Sequence, residues 1–162
     1  MLRVLGVDPG TLQLGIGILD AEGSRYEAVA YETVRISKKL ELPKRIQKVH
    51  EAVLDFIRRY RPAVMALENV FFGKDVRALV KMGEARASAI LAAEESGIPV
   101  VEYTPARVKQ AVSGNGRASK IQIQQMMKHL LRLKELPPPD SADALAVALC
   151  HLQTNRVRIP VR

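Results

Sequence analysis

Three short segments of β-forming residues open the chain. Residues 2–7 form an apolar run that ends at Pro9 and Gly10, and residues 14–19 alternate glycine with apolar side chains. Residues 26–36 are β-forming but interrupted by charges, as on a partly exposed edge strand. This pattern predicts three antiparallel strands, the first two joined as a hairpin.

The spacing of the apolar residues then changes to that of a helix. From residue 43 to Pro62 they recur every three or four positions, with charged residues on the opposite side. Residues 63–67 form a short apolar strand that leads to Glu68. A long helix is predicted for residues 76–96, followed by a strand at residues 98–103.

Three further helices are predicted in the last third of the chain. A short one follows Pro105, and a longer one covers residues 118–133 after a glycine-rich loop at residues 113–116. Prolines at residues 137–139 then break the chain before a last helix. Either Asp140 or Ser141 is predicted to cap that helix.

The order of these elements predicts the fold class. Three antiparallel strands, followed by two strands that alternate with helices, indicate an α/β domain with a mixed sheet and helices on both faces. Neither an internal repeat nor a long linker is visible, so residues 1–155 are predicted to form a single domain and residues 156–162 a short basic tail. Ligands of such folds bind at the carboxyl ends of the strands.

Composition narrows the class of protein. The 162 residues are 48% apolar, which is enough to bury an ordinary core. Cys150 is the only cysteine, so no disulfide framework exists and a reducing compartment, the cytoplasm, is expected. The sequence contains neither an apolar run long enough for a membrane span nor a signal peptide, so no membrane association is expected.

The net charge of +8 is unevenly distributed. Residues 1–104 hold 15 Lys or Arg against 14 Asp or Glu, whereas residues 105–162 hold 10 against 3. A basic region of this kind attracts a phosphate backbone, because each neutralised phosphate releases counterions. The alternative is that the basic face only keeps the protein soluble.

Four acidic residues stand out against this basic background. Asp8 and Glu68 follow predicted strands, and Asp140 and Asp143 lie one helical turn apart in the last helix. Taken singly, Asp8 suits a turn and Asp140 suits a helix cap. Together, four carboxylates repel one another unless a cation lies among them, and oxygen ligands suit Mg²⁺. The pattern therefore predicts a metal site that acts on phosphate esters.

Five sequence blocks carry a family resemblance across nearly the whole chain. The segments L-G-V-D-P-G-T at 5–11, A-L-E-N-V-F-F at 66–72 and P-D-S-A-D-A-L-A at 139–146 resemble the RuvC Holliday junction resolvases. The segments K-M-G-E-A-R-A at 81–87 and R-V-K-Q-A-V at 107–112 match the same family in the same order. One such block is nonspecific, but five in order are not.

The resemblance implies a fold, an activity and a set of site residues. It implies an RNase H-like fold and a homodimeric endonuclease that nicks two strands of a four-way DNA junction symmetrically, in DNA recombination and repair. Asp8, Glu68, Asp140 and Asp143 would be the catalytic acids and would hold two Mg²⁺ ions, for which Mn²⁺ can substitute. The products would be 5′-phosphate and 3′-hydroxyl ends. A RuvA–RuvB branch-migration complex is the implied partner.

The resemblance also implies DNA-binding residues. Lys109 and Lys120 match family lysines, and Arg117 lies beside the glycine-rich loop. Phe71, with Phe72 next to it, matches a phenylalanine that is implicated in opening the junction centre. The alternatives are solvent-exposed charges for the cations and core packing for one of the two rings.

Three competing hypotheses and one interface hypothesis remain open at this point. The D-P-G-T turn also resembles the YqgF-like nucleases of the same fold class, which act on other nucleic acids. An actin-like or sugar-kinase ATPase would need a much longer chain, and a non-enzymatic junction-binding protein would need no metal. For the homodimer, small residues of the long helix would allow close helix contact or, alternatively, packing within one subunit; these are Gly83, Ala85, Ala87 and Ala89.

Overall fold

The computed structural model describes residues 1–69 and 75–156. The strands are β1 (Leu2–Asp8), β2 (Gln13–Glu22), β3 (Arg25–Arg35), β4 (Val64–Glu68) and β5 (Val100–Tyr103). The helices are α1 (Leu42–Tyr60), α2 (Val76–Glu95), α3 (Pro105–Ser113), α4 (Lys120–Leu130) and α5 (Pro139–Arg156). Among these elements, no helix has the length and apolar character that crossing a membrane requires.

The five strands form one mixed sheet in the order β3-β2-β1-β4-β5. The first three strands are antiparallel, and β4 runs parallel to both β1 and β5. The predicted arrangement of three antiparallel and two parallel strands is therefore confirmed, with β3 at an edge. The parallel pairs point their carboxyl ends to the same side, which is where Asp8 and Glu68 lie.

Helices cover both faces of the sheet, as predicted. Side chains alternate between the faces, so Val4 packs with α3, α4 and α5 while its neighbour Leu5 packs with α1 and α2. The last helix lies directly on β1 and β2. Its residues 144–150 are all buried because it is surrounded by the sheet on one side and by α3 and α4 on the other.

The predicted ends of two helices were wrong. Helix α4 ends at Leu130, three residues early, where the chain turns through Arg132 with φ of 53°. Helix α5 begins at Pro139, so neither Asp140 nor Ser141 caps it. The carbonyl of Pro138 accepts the first helical hydrogen bond, from Ala142 at 2.8 Å. Proline fits the first helical position since its missing N–H would have no partner there.

Candidate active site

Two strands place the first pair of carboxylates side by side. Strands β1 and β4 are adjacent and parallel, with Val7 opposite Leu67. The next residue of each strand is an acid, Asp8 on β1 and Glu68 on β4, and both stand where the strands end. This register meets the expectation that the two carboxylates lie side by side at the carboxyl ends of neighbouring strands.

Helix α5 brings the second pair to the same place. Asp140 lies in the first turn of the helix, and Asp143 follows one turn later on the same side. All four acids line one open cleft of about 870 Å³. Residues that lie up to 135 positions apart in the chain thus share a single site, and the sequence prediction that they meet agrees with the fold.

Two glycines of the sheet allow the first turns of α5 to pack closely against it. A methyl group on Gly15 would overlap the carbonyl of Asp140, and one on Gly6 would overlap the carbonyl of Ala144. Both obstacles are backbone atoms, which cannot rotate away as a side chain can. The absence of these two side chains therefore allows the helix that carries Asp140 to touch the sheet.

A hydrogen bond fixes the same turn of α5 from the edge strand. Thr33 on β3, directly opposite Gly15 on β2, has its Oγ1 2.9 Å from the Oγ of Ser141. Ser141 is fully buried and lies between the two acids of the helix. The sequence analysis missed this role of Thr33, because a threonine in an edge strand has no signal that distinguishes it from a solvent-facing one.

We expect Thr33→Val to weaken the site without removing any acid. The isosteric change deletes the hydroxyl that pairs with Ser141, at a cost of about 1–3 kcal/mol in unfolding free energy for a buried unpaired group. By analogy with residues that orient metal ligands, cleavage at limiting metal should fall about 10-fold or more. Thr33→Ser, which keeps the hydroxyl, is the control. Equal metal requirements for Thr33→Val and the wild type would contradict this role.

The four acids raise one another's proton affinity. Burial first, and then the charges of Asp143, Asp140 and Glu68, raise the pKa of Asp8 to about 7. Burial is also the main cause that raises the pKa of Glu68 and of Asp143, while nearby lysines oppose the shift. The carboxylates repel one another when ionised, and a cation bound among them would offset this repulsion.

This donor set fits a hard divalent cation. All four groups are carboxylates, the ligands that suit Mg²⁺ and Mn²⁺. Within residues 1–69 and 75–156, no three acidic, histidine or cysteine side chains converge closely enough to hold an ion. That separation is expected of like charges, which repel one another when no cation lies among them.

We expect the metal-free protein to lose stability as pH rises through about 7. The folded pKa of Asp8, about 7, exceeds its ordinary value of 3.8. The resulting stabilisation is fully present below about pH 4 and is lost as pH passes 7. Magnesium binds the ionised form, so its increase of Tm should grow between pH 6 and pH 8. Thermal unfolding with and without Mg²⁺ checks this, and a pH-independent increase would contradict it.

The predicted DNA-binding residues have different positions. Lys109 on α3 and Lys120 on α4 line the cleft, and the Nζ of Lys120 lies 3.9 Å from the Oδ2 of Asp143. Arg117 does not line the cleft. Phe71 and Phe72 lie outside the described residues. Three cations that sequence analysis missed also line the cleft, namely Arg35, Lys38 and Lys81.

The small residues of the long helix divide between the two alternatives that the sequence left open. Ala85 and Ala89 are fully buried against the helix layer and sheet of their own chain. Gly83 and Ala87 face outward, so only these two are available to a second subunit. The division follows from helical geometry, in which residues two positions apart lie on different sides.

His151 is buried between two partners. Its Nδ1 lies 2.8 Å from the hydroxyl of Tyr103, and its Nε2 lies 2.7 Å from the Nδ2 of Asn155. Burial lowers its pKa. The ring therefore ties α5 to the edge strand β5 as a neutral hydrogen-bonding group.

Comparison with known proteins agrees with this geometry. A sequence model of the family described as crossover junction endodeoxyribonuclease RuvC matches residues 4–151. The chain belongs to this family. Crossover junction endodeoxyribonuclease RuvC of Desulforamulus reducens is 49% identical over 151 residues, which cover 93% of each chain. The protein of the same description from Brevibacillus brevis is 48% identical over 94% of this chain and 92% of that one.

A solved structure confirms the fold assignment. Thermus thermophilus RuvC in complex with Holliday junction substrate superposes with a TM-score of 0.91 at 36% identity, covering 98% of this chain and 97% of that one. The predicted resemblance and the RNase H-like mixed sheet are therefore confirmed. The family match spans both the D-P-G-T turn and the middle blocks, which leaves the YqgF-like alternative without support.

Proposed function

We propose that the protein is a metal-dependent, structure-selective endodeoxyribonuclease that resolves four-way (Holliday) DNA junctions by paired nicks. One observation carries the proposal: four carboxylates from β1, β4 and α5 line a single cleft whose rim is basic. Carboxylates alone would repel DNA, and lysines alone would only bind it. A site with both is suited to holding a phosphodiester and hydrolysing it.

The proposed roles divide between the acids and the lysines. Asp8, Glu68, Asp140 and Asp143 would hold two Mg²⁺ ions, with Mn²⁺ as a substitute. When bound, the ions would supply Lewis acidity and an activated water for in-line displacement of the 3′ oxygen, leaving a 5′-phosphate and a 3′-hydroxyl. Lys109 and Lys120 would bind phosphate oxygens beside the scissile bond, where their charge offsets the charge of the reacting group.

Paired symmetric nicks require two identical sites, so the proposal includes a homodimer. The exposed face of α2 suits such a contact. Its apolar and small residues recur at intervals of three and four, the spacing of a helix–helix seam, and they are Val76, Val80, Gly83, Ala87 and Leu91. Val76 is 68% exposed and Val80 54% exposed, which is costly for a helix that stays uncovered.

Two further parts of the proposal concern the cellular setting. A RuvA–RuvB branch-migration complex would be the partner. It would move the branch point of the junction along the DNA to the position at which the resolvase cuts. The cytoplasm would be the compartment, because a bacterial chromosome lies there and the chain has one cysteine and no possible internal disulfide.

A cleavage assay on a fixed synthetic four-way junction tests the function. We expect two cuts at symmetric positions in opposing strands when Mg²⁺ is present, with ends that DNA ligase seals. A linear duplex of the same sequence should remain intact. Junction binding without cleavage at any concentration of Mg²⁺ or Mn²⁺ would favour a non-enzymatic junction-binding protein, and equal cleavage of the duplex would refute structure selectivity.

A further inference from the structure

The cleft has basic side chains on two sides. Lys109 and Lys120 belong to α3 and α4, which pack with α5 on one face of the sheet. Lys81 belongs to α2, which packs with α1 on the opposite face. Arg35 and Lys38 come from the end of β3 and the following loop. The four acids therefore lie between a Lys109/Lys120 wall and an Arg35/Lys38/Lys81 wall.

The second wall is anchored to the core although its cations are exposed. Between Arg35 and Lys38, Ile36 is 7% exposed and donates its N–H to the carbonyl of Leu12 at 2.9 Å. This bond ties the end of β3 to the turn that follows Asp8. On α2, Lys81 follows Ala78 by one turn, and both line the cleft. Lys81 is thus held by a helix, and Arg35 and Lys38 flank the buried, hydrogen-bonded Ile36.

No side chain in the described part of the chain forms an ion pair with the cations of the second wall. Arg35, Lys38 and Lys81 make no hydrogen bond or ion pair through their side chains within residues 1–69 and 75–156. Some other surface cations of the protein are paired, such as Lys48 with Glu51 and Arg59 with Asp55. Three unpaired cations that converge on one cleft form a binding surface for an anion that comes from outside.

We propose that the Arg35/Lys38/Lys81 wall binds backbone phosphates of the cleaved strand on one side of the scissile bond, while the Lys109/Lys120 wall binds those on the other side. This inference rests on the proposed nuclease function and specifies how the strand lies in the site. A strand that crosses the acids from one wall to the other places a phosphodiester between them, with its neighbouring phosphates neutralised on both sides.

A pair of charge-matched double variants tests the wall itself. Lys38→Ala/Lys81→Ala removes two cleft cations, and Lys39→Ala/Arg77→Ala removes two exposed cations that neighbour them but do not line the cleft. Binding of a four-way junction is measured with Ca²⁺ in place of Mg²⁺ over a range of salt concentrations. The slope of the logarithm of the binding constant against the logarithm of the salt concentration is then compared. The first variant should lower the magnitude of this slope by roughly 2, one for each lost phosphate contact, and the second should lower it by clearly less.

Methylphosphonates, which replace single backbone phosphates by uncharged groups, then test which side of the cut site each wall contacts. Junctions that carry a single methylphosphonate at successive positions around the cut site are bound to the wild type, to Lys38→Ala/Lys81→Ala and to Lys109→Ala/Lys120→Ala. We expect each double variant to be insensitive to neutralisation on one side only, and the two variants to differ in that side. The same side for both walls, or equal slopes for the matched variants, would overturn the inference. Wild-type cleavage is measured in parallel, so that a failure of the proposed function is recognised separately.

Discussion

Replacing Asp8 with Asn should abolish junction cleavage and leave junction binding nearly unchanged. Asp8 ends the central strand β1, and the other three acids of the cleft surround it. Amide substitution keeps the shape of the side chain but removes the charge that a metal ion needs. Substitution of residues that merely orient metal ligands lowers metal affinity or activity by about 10- to 100-fold. Loss of a central ligand should therefore lower the cleavage rate by more than about 100-fold. Asp143→Asn should behave in the same way.

The same substitution should stabilise the metal-free protein above pH 7. Asp8 ionises in the folded chain only near pH 7 instead of 3.8, so its charge opposes folding at higher pH. Removing that charge should raise the unfolding free energy at pH 8 by up to about 4 kcal/mol, the value of three pKa units. A loss of activity accompanied by a gain of stability separates a functional carboxylate from a structural one.

Measurement of both properties decides the assignment. Single-turnover cleavage of the fixed junction gives the rate, binding in Ca²⁺ gives the affinity, and thermal unfolding in chelator gives the stability. Asp55→Asn is the matched control, because Asp55 is 58% exposed and pairs with Arg59 on α1, outside the cleft. Cleavage by Asp8→Asn close to that of the wild type would refute the role assigned to this residue.

Much of the fold was predictable because the deciding signals are local. Short segments of β-forming residues separated β1 to β3 from the helices, whose apolar residues recur every three or four positions, and prolines or glycines marked the ends of several elements. The four acids could also be found, since each ends a strand or lies near the start of the last helix in a basic chain. Placing them together required that β1 and β4 be adjacent and that the last helix pack against the ends of those strands.

The parts that could not be predicted depend on contacts between distant segments. The bond from Thr33 to Ser141 spans 108 residues, and Arg35, Lys38 and Lys81 reach the cleft only through the packing of β3 and α2. Nothing in their local sequence distinguishes these residues from solvent-exposed ones. The inward and outward faces of α2 were likewise ambiguous, because alanine and glycine suit both a core and a subunit interface.

Gly15→Ala should inactivate the protein by displacing α5 while leaving every carboxylate in place. The new methyl group would overlap the carbonyl of Asp140, which belongs to the helical backbone. The first turn of α5 must then move away from the sheet, or β2 must bend, and either change separates Asp140 and Asp143 from Asp8. Displacements of about 1 Å at a reacting centre can cost about 100-fold in rate, and forced overpacking destabilises by about 1–3 kcal/mol.

A neighbouring glycine provides the control for this prediction. On the same strand, a methyl group on Gly17 would meet the Cδ2 and Cγ of Leu145 at 2.8 and 3.0 Å but a backbone atom only at 3.3 Å, so its tightest contacts are with a side chain. Gly17→Ala should therefore cost some stability but keep more cleavage activity and the wild-type metal requirement. Cleavage rates as a function of Mg²⁺, together with thermal unfolding, compare the two variants. If both lost activity only in proportion to stability, the depth of α5 would not control the catalytic geometry, and the carboxylates would tolerate a shift of their helix.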